Sequence, residues 1–209
     1  MRRSWIGMIA LALVLQVPGV QAQQAVVTAD GPPTVSAVWV EHELSFTFTG
    51  VTSHYSCDGL RDKVRRILQD LGARPGFKVT PRGCIHLTGP DRMAGVRIVA
   101  ALPREATPEV LGQLASDASR EQLAARATGG AAAEATAQFA ARPRRVDFRS
   151  GPTGYVRDGD CELMEQLRDD VFPKLGVRVV EHDIDCVPHQ VNPGAVRMTV
   201  EVLEPVPAQ

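Results

Sequence analysis

Cys57-Asp58-Gly59-Leu60-Arg61-Asp62-Lys63-Val64-Arg65-Arg66-Ile67-Leu68-Gln69-Asp70-Leu71-Gly72 opens a stretch that closes at Cys84. Its outline returns as Cys161-Glu162-Leu163-Met164-Glu165-Gln166-Leu167-Arg168-Asp169-Asp170-Val171-Phe172-Pro173-Lys174-Leu175-Gly176, which closes at Cys186. In both copies a Leu-Gly pair stands at the same distance from the first cysteine. Leu60 aligns with Met164, Ile67 with Val171, Leu68 with Phe172 and Leu71 with Leu175. That spacing keeps to one face of a helix, while the charged residues between differ freely. Ser56 or Asp58 can cap the first helix and Asp160 the second, because their side-chain oxygens accept from unpaired backbone amides. Gly72 and Gly176 supply the left-handed residue that closes a helix. Pro173 has no N–H to donate, so the second helix is expected to kink or stop early, with Lys174-Leu175-Gly176 as a separate turn.

Outward from the helices the pattern changes to period two. Val96, Ile98, Ala100 and Leu102 share one strand face with Arg97 opposite, and Val196, Met198, Val200 and Val202 do the same against Arg197, Thr199 and Glu201. Loops at Gly89-Pro90 and Asn192-Pro193-Gly194 precede these strands. Upstream of Cys57, Val38, Val40, His42, Leu44, Phe46 and Phe48 alternate with polar residues and Trp39, which predicts a long strand or a hairpin. Val146-Asp147-Phe148-Arg149 is a shorter version upstream of Cys161. Each copy therefore reads as a βαββ module. Two such modules can share one antiparallel sheet with their helices on one side, an α+β fold.

The expected organisation is a leader over residues 1–22, module 1 over 23–104, an alanine-rich helical connector over 105–145 and module 2 over 146–209. In the connector, Thr107-Pro108-Glu109 starts a helix with proline at its first position, and Val110, Leu111, Leu114 and Ala118 give it a face. Gly129-Gly130 interrupts it, Ala131 to Ala141 suggests a second helix around Phe139, and Arg142-Pro143-Arg144-Arg145 ends the segment.

Arg2-Arg3 followed by the apolar run Trp5 to Leu15 reads as a signal peptide, with Val20-Gln21-Ala22 placing cleavage after Ala22. The run is too short to span a bilayer comfortably. Removing Arg2 and Arg3 from 23 basic residues against 24 acidic leaves 21 against 24, a formal −3. That balance offers nothing to attract nucleic acid or an anionic membrane. An exported chain with four cysteines is expected to hold two disulfides. The duplication selects Cys57 to Cys84 and Cys161 to Cys186, each closing a loop for about 3 to 4 kcal/mol in the chain-entropy account.

Chemistry is harder to find. Cys57 and Cys161 start helices, where a thiolate is stabilised, but each has a disulfide partner at a matching distance. His42, His54, His86, His182 and His189 fit no recognised metal spacing, and His42 lies on an apolar strand face as a core residue would. Glu181, Asp183 and Asp185 alternate along a strand, with Asp158, Asp160 and Glu162 at the head of the same module. With His182 these form a candidate site for a hard cation or a basic partner, although an acidic edge that discourages strand pairing explains them equally. Tyr55 and Tyr155 precede the first cysteines and are expected to pack against the disulfides. Gly-x-Ser-x-Gly, Ser-x-x-Lys and His-Glu-x-x-His are absent from the sequence.

The pattern favours a periplasmic or secreted binding protein without cofactor, acting on an envelope protein or small ligand in a groove between the modules. The alternative is an envelope enzyme or cation-binding protein using Asp158, Asp160, His182 and Asp185.

Overall fold

The computed structural model describes residues 33–84, 89–90, 93–128, 137–151, 154–190 and 196–207. The expected leader with its cleavage point, His86, the Gly129-Gly130 break and the Asn192-Pro193-Gly194 loop lie outside them.

Alternation upstream of Cys57 resolves into one strand, β1 (Val35–Thr49), rather than a hairpin. Helix α1 (Cys57–Asp70) follows, capped by Ser56, whose side chain accepts from the Gly59 amide at 3.0 Å. Gly72, at φ +78°, ends it. Strands β2 (Lys78–Arg82) and β3 (Met93–Glu105) complete the first half. Helix α2 (Pro108–Thr128) starts at the expected proline, and the Thr107 hydroxyl accepts from the Val110 amide.

The second half opens on β4 (Phe139–Arg149). This corrects two expectations. Phe139 belongs to a strand rather than to a second connector helix, and Arg142-Pro143-Arg144-Arg145 is strand rather than the end of a connector. The physical reason is edge geometry: β4 loses its β1 partner beyond Ala141, so Pro143, which cannot donate a ladder hydrogen bond, is tolerated there. Pro103 stands likewise where β3 has outrun β2.

A 3₁₀ turn (Asp158–Asp160) leads into α3 (Cys161–Gln166), a π-helical turn (Leu167–Val171) and α4 (Phe172–Leu175). Pro173 accounts for the sequence of turns, since its missing N–H cannot continue the α-helical ladder and the chain widens ahead of it. Gly176, at φ +69°, closes the helix. Strands β5 (Arg178–Asp183) and β6 (Arg197–Pro205) follow.

The six strands form one sheet in the order β2-β3-β1-β4-β6-β5, with every pairing antiparallel. β1 and β3 pair from Ala37↔Glu105 to Thr49↔Met93, and β4 and β6 from Ala141↔Pro205 to Arg149↔Arg197. Among the described residues, strands of the two halves pair where Val35–Ala37 meets Phe139–Ala141. Disulfides tie the start of α1 to the segment after β2 (Cys57–Cys84, Cα–Cα 6.2 Å) and the start of α3 to the segment after β5 (Cys161–Cys186, 5.7 Å).

One continuous core serves both halves. Leu60 and Ile67 of α1, Leu71 at its end, Ile98 of β3, Phe148 of β4, and Leu163 and Phe172 of the second helix are all at most 2 % exposed and belong to a single cluster. Burial of such side chains contributes about 1.5 to 3 kcal/mol each, so the halves stabilise one another.

Candidate functional site

Polar groups of each half reach across to the other. Asp160 is only 4 % exposed, and its carboxylate accepts from the Tyr55 hydroxyl, the Lys63 ammonium and the Arg157 amide. It therefore stands at the cap position without capping: the expected amide bond to its own helix is absent, because both oxygens are held elsewhere. Burial and the adjoining Asp160 carboxylate push the Tyr55 hydroxyl far above its ordinary pKa, so it stays a donor. Tyr55 also meets Phe48 edge-on at 4.9 Å.

Tyr155 does the reverse, donating to Asp70 of α1 at 2.6 Å, and burial, then Asp70, raise its pKa too. Arg144 of β4 donates to the Asp70 carbonyl at 2.6 Å, which places a cation at the negative end of α1. Tyr55 and Tyr155 thus act alike across the join of the halves. Each is partly buried against the shared core and spends its hydroxyl on the opposite half.

Glu162 holds the loop after β1. Its carboxylate accepts from the amides of Val51, Thr52 and Ser53 at 3.0 to 3.2 Å. Burial pushes its pKa upward, but the three amides outweigh that and keep it below the ordinary carboxylate value. Gln166 extends the same contact, accepting from the Thr49 amide and donating to the Thr49 carbonyl as a neighbouring strand would. A pocket of about 80 Å³ beside the Cys161–Cys186 disulfide is lined by Thr52, Ser53, Asp158, Gly159, Glu162 and Gln190 among others.

The remaining acidic candidates are dispersed. Glu181 and Asp183 lie on β5, the outer strand of the sheet, opposite Thr199 and Arg197. His182 points to the other face, with Nδ1 3.5 Å from the Arg168 guanidinium. Asp185 and Asp158 are exposed apart from them. Among the described residues no three His, Cys, Asp or Glu side chains are grouped to hold a metal ion. His54 and His189 are exposed. His42 is half-buried, and burial first, then the Arg104 charge, lower its pKa, while the Lys174 carbonyl partly offsets them. Its Nε2 has no hydrogen-bond partner among the described residues.

The two halves do build one groove, of about 310 Å³. The end of β3 (Leu102 to Glu105), the first turn of α2 (Thr107, Val110), the corner from Leu175 to Arg178, and Glu201 to Leu203 of β6 line it. Arg178 pairs with Glu201 across β5 and β6. Arg104 lies over Gly176 so closely that a Cβ there would overlap its guanidinium. Among the described residues Arg104 donates no hydrogen bond and closes no ion pair. An open depression of about 470 Å³ between α1 and the following loop belongs to one half alone, and its Arg65 already covers the Phe77 ring at 6.0 Å.

Parity along β3 would have singled out Arg104, because it continues the buried series Val96, Ile98, Ala100, Leu102. The partners of Asp160 had no such signal, since Tyr55 and Lys63 lie about a hundred residues away in the chain. Comparison with known protein families, with curated proteins and with solved structures finds no match to this chain.

Proposed function

We propose that this is an exported protein built from two copies of a disulfide-stapled βαββ module, and that it acts by binding a small ligand in the groove between them. Support for the duplication comes from element order: β1-α1-β2-β3 and β4-helix-β5-β6 follow one succession, and the strand order is the same read outward from the β1/β4 join. Export rests on the Arg2-Arg3 and Trp5 to Leu15 pattern and fits a chain with two disulfides. The periplasm or the medium is the corresponding location.

The groove is the observation that carries the binding reading. It is concave, of mixed polarity, and built from both halves and the connector, which is where ligand sites in such folds form. Native mass spectrometry of the protein purified from its own envelope fraction tests this. A retained ligand adduct that disappears in Val110→Trp, which fills the groove, supports the reading. A bare mass in both proteins counts against it.

The rival reading is a cation-binding protein or envelope enzyme using Asp158, Asp160, Glu181, His182, Asp183 and Asp185. It draws on the exposed acidic edge of β5, and a melting temperature raised by calcium or zinc and lost in Asp183→Asn would favour it.

A further inference from the structure

We infer that the groove takes a small monocarboxylate with an apolar body, its carboxylate on Arg104 and its body against Leu102, Val110, Leu175, Val177 and Val202. The inference rests on the proposed binding role and narrows it to one ligand class.

Charge selects the class. A guanidinium that is half-covered and has no counter-charge has lost part of its hydration without compensation. Arg presents a planar fork of donors that matches a carboxylate with two parallel hydrogen bonds. The other cation in the wall, Arg178, is already neutralised by Glu201. Glu105, exposed and part of the same lining, adds a second negative charge. One available positive charge flanked by carboxylates favours a singly charged anion, since a phosphate dianion would meet repulsion that Arg104 alone does not offset.

Shape selects the rest. A volume of about 310 Å³ lies at the lower limit of ligand clefts, roughly 300 to 1,000 Å³. Besides its charged and polar groups the groove is lined by Leu102, Val110, Leu175, Val177, Val202 and Leu203, an aliphatic lining beside the cation. Gly176 matters here because any side chain in its place would drive the guanidinium off the groove wall.

Isothermal titration of the full chain with octanoate, octan-1-ol, octylamine and octyl phosphate tests the inference. Octanoate is expected to bind saturably at one site and the other three at least tenfold more weakly. Arg104→Gln should weaken octanoate at least tenfold and bring it level with octanol, Arg104→Lys should weaken it less, and Val110→Trp should abolish it. Circular dichroism of each variant confirms that it is folded. Octanoate binding unchanged in a folded Arg104→Gln variant overturns the inference. Octanol, octylamine or octyl phosphate binding as tightly as octanoate, with Val110→Trp still abolishing it, overturns the carboxylate class while leaving the groove as a binding site. Absence of binding by all four probes overturns the carboxylate inference for the octyl series, and the binding role itself then stands or falls on the adduct experiment.

Discussion

Helix α1 and the helix of the second half both start at a cysteine, end at a left-handed glycine and bury the same four aligned positions, yet only α1 is regular. Ser56 caps α1 locally, whereas Asp160, at the matching place, gives up its cap to bind Tyr55 and Lys63 of the other half. Asp58 pairs with Arg61 one turn along its own helix, whereas Glu162, its counterpart, holds the loop after β1. The first helix looks after its own ends. The second uses equivalent positions to hold the halves together, and its own regularity is lower. Helices of similar outline thus differ in task, and the second half carries more of the assembly of the two.

The sharpest way to break this comparison is at the caps. Asp160→Ala strands Lys63 and Tyr55 in a largely buried setting and is expected to cost about 3 to 5 kcal/mol, as loss of one member of a buried ion pair does. Ser56→Ala should cost only about 1 kcal/mol. Urea unfolding of both variants measures the difference, and equal values would mean that Asp160 is no more than a cap.

The closing glycines come next. Gly72→Ala meets only the left-handed backbone penalty of about 1 to 2 kcal/mol, since its nearest neighbours beyond the chain are 3.8 Å or more from a new Cβ. Gly176→Ala carries the same penalty and must also displace Arg104. It should therefore melt lower than Gly72→Ala, and identical melting points would show that Arg104 swings away freely.

The smallest expected effect is the pH response of Glu162. Its folded pKa lies below the ordinary value, so its contribution is fully present above about pH 4.3 and is lost as pH falls through the lower folded value. A melting-temperature profile between pH 3 and pH 6 should be flatter on its acid side in Glu162→Gln than in the parent chain. Parallel profiles would remove Glu162 from the contacts that matter.

Local signals carried much of the architecture. Helix ends, strand faces and cysteine pairings were readable because each depends on neighbours within a turn or on alternation, from Gly72 and Gly176 to Val96–Leu102. Phe139 to Arg145 does not read as strand because alanine and arginine favour helices in isolation, and the segment is extended through pairing with Val35–Ala37 at its start and Arg197–Pro205 beyond. The cross-half contacts of Asp160, Tyr155 and Arg144 depend on how two distant segments meet, and no spacing encodes that. The lining of the groove has no signal in the sequence, because α4, β3, α2 and β6 come together only in three dimensions.

Both disulfides join cysteines that are consecutive in the chain, first with second and third with fourth. A chain that emerges from either end therefore offers each new cysteine its native partner before a competing thiol arrives. Oxidation in order of appearance yields the native pairs without thiol exchange, and the two bonds can be in place before the shared core of the halves has closed around them.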